Sequence, residues 1–199
     1  QDQAATLNGD HTPWGPFRGG KYSAFEAGTR VPFIVSWKGT VTAGETSNAL
    51  ISQIDLLAGS AALIETQVPL GAAMDSRNSL DTWLGRNHDD REFVVEMAAN
   101  RTLSLQCGRW KYIEPSNGAA KINSVNIETG YLSTPQLYDL SKDPGETNNL
   151  YSSQPAEADR LAIVLAELRS ATTVKDTTLG CELVTPKREN ATRPAPYRK

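Results

Sequence analysis

The stretch TPWGPFRGGKYSAFEAGTRVPFIVSW, residues 12–37, determines how the rest of the chain is interpreted. It places Lys21 directly after the glycine pair Gly19 and Gly20. Glycine lets the backbone approach a ligand closely, and a lysine ammonium is a compact charge suited to an oxyanion. Residues 31–37 are almost continuously apolar, which predicts a strand buried on both faces. The sequence therefore predicts a cation on a loop carried by a rigid strand, a common setting for a functional site.

The spacing of this loop by itself leaves two other interpretations. Gly15, Gly20 and Lys21 match the first part of the phosphate-binding pattern G-x-x-x-x-G-K-[ST]. Tyr22 stands where that pattern has Ser or Thr, and prolines precede the loop where a P-loop follows a strand, so nucleotide binding is disfavoured. The remaining interpretation is an ordinary surface turn with a solvated lysine, because most lysines are exposed.

Four motifs resemble the type I sulfatases, and they occur in that family's order over residues 13–170. The first is RGGK followed by EAGTRVPFIV, at residues 18–21 and 26–35. The others are SQIDLL at residues 52–57, GRWKY at 108–112 and LYDLSKDPGETNNL at 137–150. Four motifs in order identify the chain as resembling the carboxy-terminal portion of a type I sulfatase.

This resemblance implies an α/β fold, the carboxy-terminal part of an alkaline-phosphatase-like sandwich plus a small antiparallel sheet with a packed carboxy-terminal helix. It implies hydrolysis of sulfate esters by a formylglycine made from a C/S-x-P-x-R motif. It also implies a calcium cofactor held by Asp and Asn residues, some of them in an Asp-Asn-Gly motif. Histidine and lysine residues of the family bind the sulfate and assist the leaving group.

The chain contains neither of those two motifs, and neither Cys107 nor Cys181 has the sequence of a formylglycine precursor. We therefore expect no metal ligands in this chain, a missing amino-terminal part of the same enzyme as its partner, and no activity of the chain alone. The resemblance assigns Lys21 a catalytic and substrate-binding role and makes His11 a candidate substrate contact. Arg18, Glu26 and Arg30 are expected to hold the loop through ion pairs.

The expected substrate is a sulfated small molecule or glycan, and the expected location is periplasmic or extracellular. Two alternatives to a sulfatase portion are kept open. One is a non-catalytic remnant or binding module of the same fold. The other is part of a related phosphatase or phosphodiesterase, because sulfate and phosphate esters have similar geometry.

Charge and composition exclude some classes of protein. The formal net charge of the 199 residues is −3, which gives no electrostatic case for nucleic acid or an anionic membrane. No apolar stretch approaches the roughly 20 residues that span a bilayer. Cys107 and Cys181 could pair or stay free, and their spacing fits no zinc or redox motif.

Periodicity divides the chain into three predicted regions. Residues 1–90 are predicted to end the catalytic α/β domain, 91–170 to form a small antiparallel-sheet and helix subdomain, and 171–199 to be a polar tail. Helices are predicted over residues 50–64 and 75–84 and from Pro155 onwards, the last with an apolar stripe at Leu161, Leu165 and Leu168. Strands are predicted at residues 93–97, 103–107, 110–113 and 136–140, with 115–131 as a surface excursion and 87–91 exposed.

Overall fold

An antiparallel sheet lies at the centre of the chain in a computed structural model that describes residues 13–88, 91–174 and 176–181. Its four strands lie in the order β1-β2-β3-β6, and β4 pairs with β5 in a separate hairpin. The strands are β1 Phe93–Met97, β2 Leu103–Cys107, β3 Trp110–Ile113, β4 Lys121–Ile122, β5 Ile127–Glu128 and β6 Gln136–Asp139. The helices are α1 Glu26–Thr29, α2 Leu56–Leu63, α3 Leu80–Trp83 and α4 Pro155–Ser170, with a 3₁₀ turn at Gln53–Asp55.

One face of the sheet is covered by α4, as the alternation of the strands and the helix stripe predict. Side chains of a strand alternate between the two faces. Leu105 and Cys107 of β2 therefore join Tyr112 of β3 on the side of the helix, where they pack with Leu161 and Leu165. The antiparallel sheet with its packed carboxy-terminal helix is thus confirmed.

The opposite face of the sheet is covered by residues that follow Lys21. Ala24 and Phe25 pack there with Ile113 of β3 and Tyr138 of β6. The rings of Phe25 and Tyr138 meet edge to face, with 6.1 Å between their centroids. The sheet is therefore buried on both faces, and it directly supports the segment that contains Lys21.

Leu165 is expected to be one of the main contributors to the packing of α4, because only 2% of its surface is exposed. Leu165→Ala should lower the free energy of unfolding by about 2–5 kcal/mol, the range for truncating a buried leucine. Ile163 lies on the same helix with 62% of its surface exposed, so Ile163→Ala is a matched control that should cost less than about 0.5 kcal/mol. Denaturant titration measures both, and equal effects would mean that α4 does not pack through this stripe.

The apolar segment of residues 31–37 is not a buried strand, which corrects the prediction made from its composition. It has no strand pairing among the described residues. Val31 is 52% exposed and Ile34 88% exposed. The physical reason is that a strand needs neighbours for its backbone groups, and no described strand lies beside this segment.

The two predicted helices before the sheet are shorter than their periodicity suggests. The first is the 3₁₀ turn followed by α2, and Ile54, Leu57 and Ile64 of its predicted apolar face are exposed. The second helix, predicted over residues 75–84, is limited to the four residues of α3. These helices contact each other at Gly59, where any Cβ would meet the ring of Trp83 at 2.1 Å. The exposed side chains Ile54, Leu57 and Ile64 find no covering layer in the described part of the chain.

The predicted surface excursion over residues 115–131 contains the β4–β5 hairpin, and part of it is buried. Ile127, Thr129 and Tyr131 are each less than 10% exposed. Tyr131 packs with Ala24 and Phe25 of the loop that contains Lys21, and the Thr129 carbonyl accepts a hydrogen bond from the Ala24 amide. The limits at residues 90 and 170 of the predicted regions stay predictions. Among the described helices, none combines the length and the apolar character needed to cross a bilayer.

Candidate functional site

Lys21 lies on an irregular segment, residues 15–25, which we call the Lys21 loop. Three of its backbone positions have dihedral angles in the left-handed region, Gly15 at φ 60°, Gly19 at φ 85° and Tyr22 at φ 87°. Such a value is costly for a residue other than glycine and persists only where the surroundings fix it. The hydroxyl of Tyr131 donates to the carbonyl of Tyr22 at 2.7 Å, and the Ala99 amide donates to the same oxygen at 3.2 Å.

Glycine is required at two positions for steric reasons. A Cβ at Gly19 would lie 2.4 Å from the Ser23 hydroxyl oxygen, and one at Gly28 would lie 2.1 Å from the Ser23 carbonyl oxygen. The Ser23 amide in turn donates to the carbonyl of Gly20 at 2.9 Å. The loop is thus folded tightly upon Ser23, and the glycines of the RGGK and EAGT motifs permit that fold.

Arg18 anchors the beginning of the loop. Its guanidinium donates two hydrogen bonds to the Glu128 carboxylate, at 2.8 and 2.9 Å, and a third to the Glu146 carbonyl at 2.8 Å. The same group lies over the Phe25 ring, 4.2 Å from its centroid. A planar guanidinium makes several such contacts at once, and an ammonium does not. The predicted structural role of Arg18 is therefore confirmed.

Glu26 anchors the end of the loop through its buried carboxylate. Arg30 donates to one carboxylate oxygen at 2.7 and 3.0 Å, and the ammonium of Lys111 lies 2.8 Å from the other. The Glu26 backbone amide donates to the Glu146 carboxylate at 2.7 Å. The ion pairs predicted for Glu26 and Arg30 are confirmed.

The partner of Glu26 on the sheet, Lys111, was not predicted as a site residue. Lys111 is completely buried, and its ammonium faces the carboxylates of Glu26, Glu96 and Glu146 at 2.8, 3.1 and 3.7 Å. We call these four residues the Lys111 cluster. The GRWKY motif contains Lys111, but nothing in the motif itself indicates a buried group of ion pairs.

Opposing effects set the pKa values in the Lys111 cluster. Burial by itself would lower the pKa of Lys111, but the three carboxylates outweigh it and raise that pKa above its ordinary value. Burial would raise the pKa of Glu26, but Lys111 and Arg30 outweigh it and lower that pKa. For Glu146 burial prevails, and the pKa is raised to about 7 although Lys111 opposes the shift.

Lys21 itself is exposed, and its ammonium lies 5.3 Å from the centroid of the Tyr22 ring. The loop therefore presents the cation outward, while a partly exposed ion pair of Arg18 holds its beginning and the buried ion pairs of Glu26 hold its end. His11, the other candidate substrate contact, lies outside the described residues. Within residues 13–88, 91–174 and 176–181 there is no group of three or more His, Cys, Asp or Glu side chains that could hold a metal ion.

Asp55 is a buried residue whose contacts give it a structural role. It completes a capping box with Ser52, and its carboxylate also accepts a hydrogen bond from the Arg77 amide at 2.8 Å. Arg91 forms a buried ion pair with it, with Nε 2.7 Å from one carboxylate oxygen. Arg91 was predicted to be exposed, and that prediction is wrong because Asp55 holds it in the interior.

The two cysteines form a disulfide. Cys107 at the end of β2 is bonded to Cys181, 74 residues further along the chain. Both sulfur atoms lie in the core between the sheet and α4. Neither thiol is available as a nucleophile, and the bond holds residue 181 against the sheet.

The fold of this chain resembles solved structures of sulfatases, and its sequence resembles proteins of the sulfatase family. A sulfatase structure from Bacteroides thetaiotaomicron, from work on the metabolism of multiple glycosaminoglycans, matches 86% of this chain with a TM-score of 0.79 and 46% identity. The PsFucS1 sulfatase from Pseudoalteromonas sp. shares the fold, with a TM-score of 0.58 and 22% identity.

The sequence comparisons give the same family. The Sulfatase family profile matches residues 7–66. An N-acetylgalactosamine-6-O-sulfatase of Bacteroides thetaiotaomicron is 45% identical over 170 residues, which is 85% of this chain and 33% of that protein. The human N-acetylgalactosamine-6-sulfatase is 30% identical over 149 residues, 66% of this chain and 28% of that protein. The chain belongs to the sulfatase family, and it spans about one third of the length of these relatives, consistent with the predicted carboxy-terminal portion.

Proposed function

We propose that this chain is the carboxy-terminal part of an enzyme that hydrolyses sulfate esters. The observation that carries this proposal is the 45% identity over 170 residues to a protein named an N-acetylgalactosamine-6-O-sulfatase. The relatives named alongside it are sulfatases as well, which favours a sulfatase over a phosphatase or phosphodiesterase.

The proposed substrate is a sulfated glycan, and a 6-sulfated N-acetylgalactosamine residue is the first candidate. Two relatives, one bacterial and one human, are named for that sugar and that position. The similar bacterial sulfatase structure comes from work on glycosaminoglycan metabolism, which also supports a glycan as the substrate. Small aryl sulfates serve as convenient assay substrates, because the reacting sulfate group is the same.

In this proposal Lys21 is the catalytic and substrate-binding residue of the chain. Its ammonium would lie against a sulfate oxygen and stabilise the negative charge that grows as the ester bond breaks. A fixed cation in a site that excludes water does this better than solvent, because it needs no reorganisation. The exposed ammonium on an anchored loop supports this role. His11 is proposed as an additional substrate contact.

The nucleophile and the metal would come from the amino-terminal part of the same enzyme. The family resemblance implies a formylglycine and calcium, whose role is to provide the nucleophile and to neutralise sulfate charge. The described residues of this chain contain no suitable ligand group. Both cysteines are in the disulfide, so neither is available for conversion to formylglycine.

The proposed location is periplasmic or extracellular. The Cys107–Cys181 disulfide supports it, because such bonds form and persist in oxidising compartments and are rare in the cytosol. The disulfide also joins residues far apart in sequence, so it contributes to the fold of the whole sheet region.

The test of this function is sulfate release by the complete enzyme and by the 199-residue chain. The complete enzyme should release sulfate from N-acetylgalactosamine 6-sulfate and from an aryl sulfate, and the chain by itself should release none. A pure preparation of the chain that turned over either ester would contradict the expected division of the site. Release of phosphate from an aryl phosphate by the complete enzyme, without sulfate release, would favour the phosphatase alternative, and no release of either would favour the remnant.

A further inference from the structure

The Lys111 cluster joins the Lys21 loop to the sheet at a place where no solvent reaches. Glu26 is the first residue of α1 and follows the loop directly. Lys111 lies on β3, Glu96 on β1 and Glu146 in the turn that follows β6. One ammonium thus ties together three separate pieces of the structure, all of them on the face of the sheet that the loop covers.

Burying a charge costs free energy unless oppositely charged and hydrogen-bonding partners surround it in the right geometry. A buried ion pair therefore tolerates little displacement of its partners. Glu26 is held by Lys111 on one carboxylate oxygen and by Arg30 on the other, and its amide is held by Glu146. A shift of α1 would break the contacts with Lys111 and Glu146 together, whereas Arg30 caps α1 and would move with it. The cluster therefore restricts α1 much more than apolar packing of a four-residue helix could.

The restriction passes from α1 to Lys21 through short and rigid contacts. Gly28 packs directly on the Ser23 carbonyl, so α1 and Ser23 move together. The Ser23 amide is bonded to the Gly20 carbonyl at 2.9 Å, on the residue that precedes Lys21. Three contacts thus link the buried ammonium of Lys111 to the residue before Lys21: Lys111 with Glu26, Gly28 with Ser23, and Ser23 with Gly20.

We infer that Lys111 is a positioning residue for the sulfatase reaction, which fixes the direction of the Lys21 ammonium through Glu26 and Ser23. This inference rests on the proposed function of Lys21. It gives the antiparallel sheet a role in the reaction through the loop that the sheet supports. A misdirected cation would still allow the substrate to bind through other groups, so the loss should appear mainly in kcat.

The test uses the complete enzyme with two variants that cut the link from opposite sides, Lys111→Met and Glu26→Gln. Each should lower kcat by about tenfold or more, as expected when a preorganised charge is displaced, while KM changes less than about twofold. Hydrogen exchange of the amides of residues 20–28 should become faster, and that of α4 should not change. Lys38→Met, at an exposed lysine outside the cluster and the loop, is the matched control and should leave kcat and exchange unchanged.

A second measurement does not depend on a disruptive variant, because Glu146 ionises within the cluster. The charged and titratable groups around it are Lys111, Glu26, Glu96, Arg18 and Tyr138. Its pKa is raised from 4.5 to about 7, so the folded cluster binds a proton that the opened one releases. The stability that this provides is complete below about pH 4.5 and is lost as the pH rises to about 7.

Protection of residues 20–28, corrected for intrinsic exchange, should therefore fall by up to about tenfold per pH unit between those values. Glu146→Gln should remove this dependence. An unchanged kcat in a folded Lys111→Met or Glu26→Gln enzyme, or unchanged exchange of residues 20–28 in both variants, would overturn the inference. A wild-type enzyme without any sulfatase activity would instead refute the proposed function, while the exchange measurements would still decide whether Lys111 fixes the loop.

Discussion

Replacing Lys21 by alanine in the complete enzyme is expected to lower kcat by about 10²–10³-fold, the scale for the loss of one preorganised electrostatic donor. The reason is that Lys21 would stabilise charge that develops only as the ester bond breaks. KM should change less than kcat, because the sulfate would keep its other contacts. Steady-state kinetics on an aryl sulfate measures both, with thermal melting to confirm that the variant is folded.

Three further variants separate the role of Lys21 from a general effect of charge. Lys21→Arg should restore little activity, because a planar guanidinium does not replace a compact ammonium. Lys142→Ala removes an exposed lysine from the turn after β6 and should leave kcat unchanged. Arg18→Ala should act mainly on stability, because Arg18 is occupied by Glu128 and Glu146. Near-normal kcat in a folded Lys21→Ala enzyme would remove this lysine from the mechanism.

The sheet and its helix were predictable because their patterns are local. Leu103, Leu105 and Cys107 alternate with polar residues, and Leu161, Leu165 and Leu168 repeat at helical spacing. Each pattern needs only one covered face to be satisfied, and both covering layers lie within this chain. The strand and helix bounds therefore agree with the prediction to within about one residue for these elements.

The segment of residues 31–37 shows where composition fails as a predictor. Its apolar side chains specify burial, but a strand also requires partners for its backbone, and these are not among the described residues. The same holds for Ile54 and Leu57, whose helical period is correct and whose covering layer is absent from the described chain. The sequence thus indicates that these side chains favour burial, but whether they are buried depends on the elements that pack beside them.

For the candidate site, the glycine pair and the family motif identify the Lys21 loop, but they do not show how it is held. A charged residue in a short strand is normally expected on the solvent side. The residues next to Lys111 in the sequence therefore gave no indication that it is buried. Its partners Glu26, Glu96 and Glu146 are 85, 15 and 35 residues away, and only the fold brings them together. A buried network of this kind is a property of the tertiary structure.

Removing the Cys107–Cys181 disulfide is expected to lower the free energy of unfolding of the sheet region by about 4–5 kcal/mol, the value from chain entropy for a loop of this length. The bond closes a loop with a sequence separation of 74, which restricts the unfolded chain strongly. In the folded state, the amides of Leu179 and Cys181 donate to the Glu92 carboxylate. These two hydrogen bonds hold residues 179–181 beside the sheet independently of the disulfide. The main effect should therefore lie in the unfolded state and leave the folded sheet unchanged.

Cys181→Ala is the better variant for this measurement, because Cys107 lies deeper in the core and its sulfur contacts Arg160 at 3.6 Å. Native-state hydrogen exchange of the amides of β2 and β3 measures the local free energy of opening. A reducing agent should produce the same loss in the wild type and no further loss in Cys181→Ala, because that variant has no bond to reduce. A loss below about 1 kcal/mol would mean that the hydrogen bonds to Glu92 and the apolar core hold residues 179–181 without the covalent bond. One or two ordinary hydrogen bonds contribute about that much.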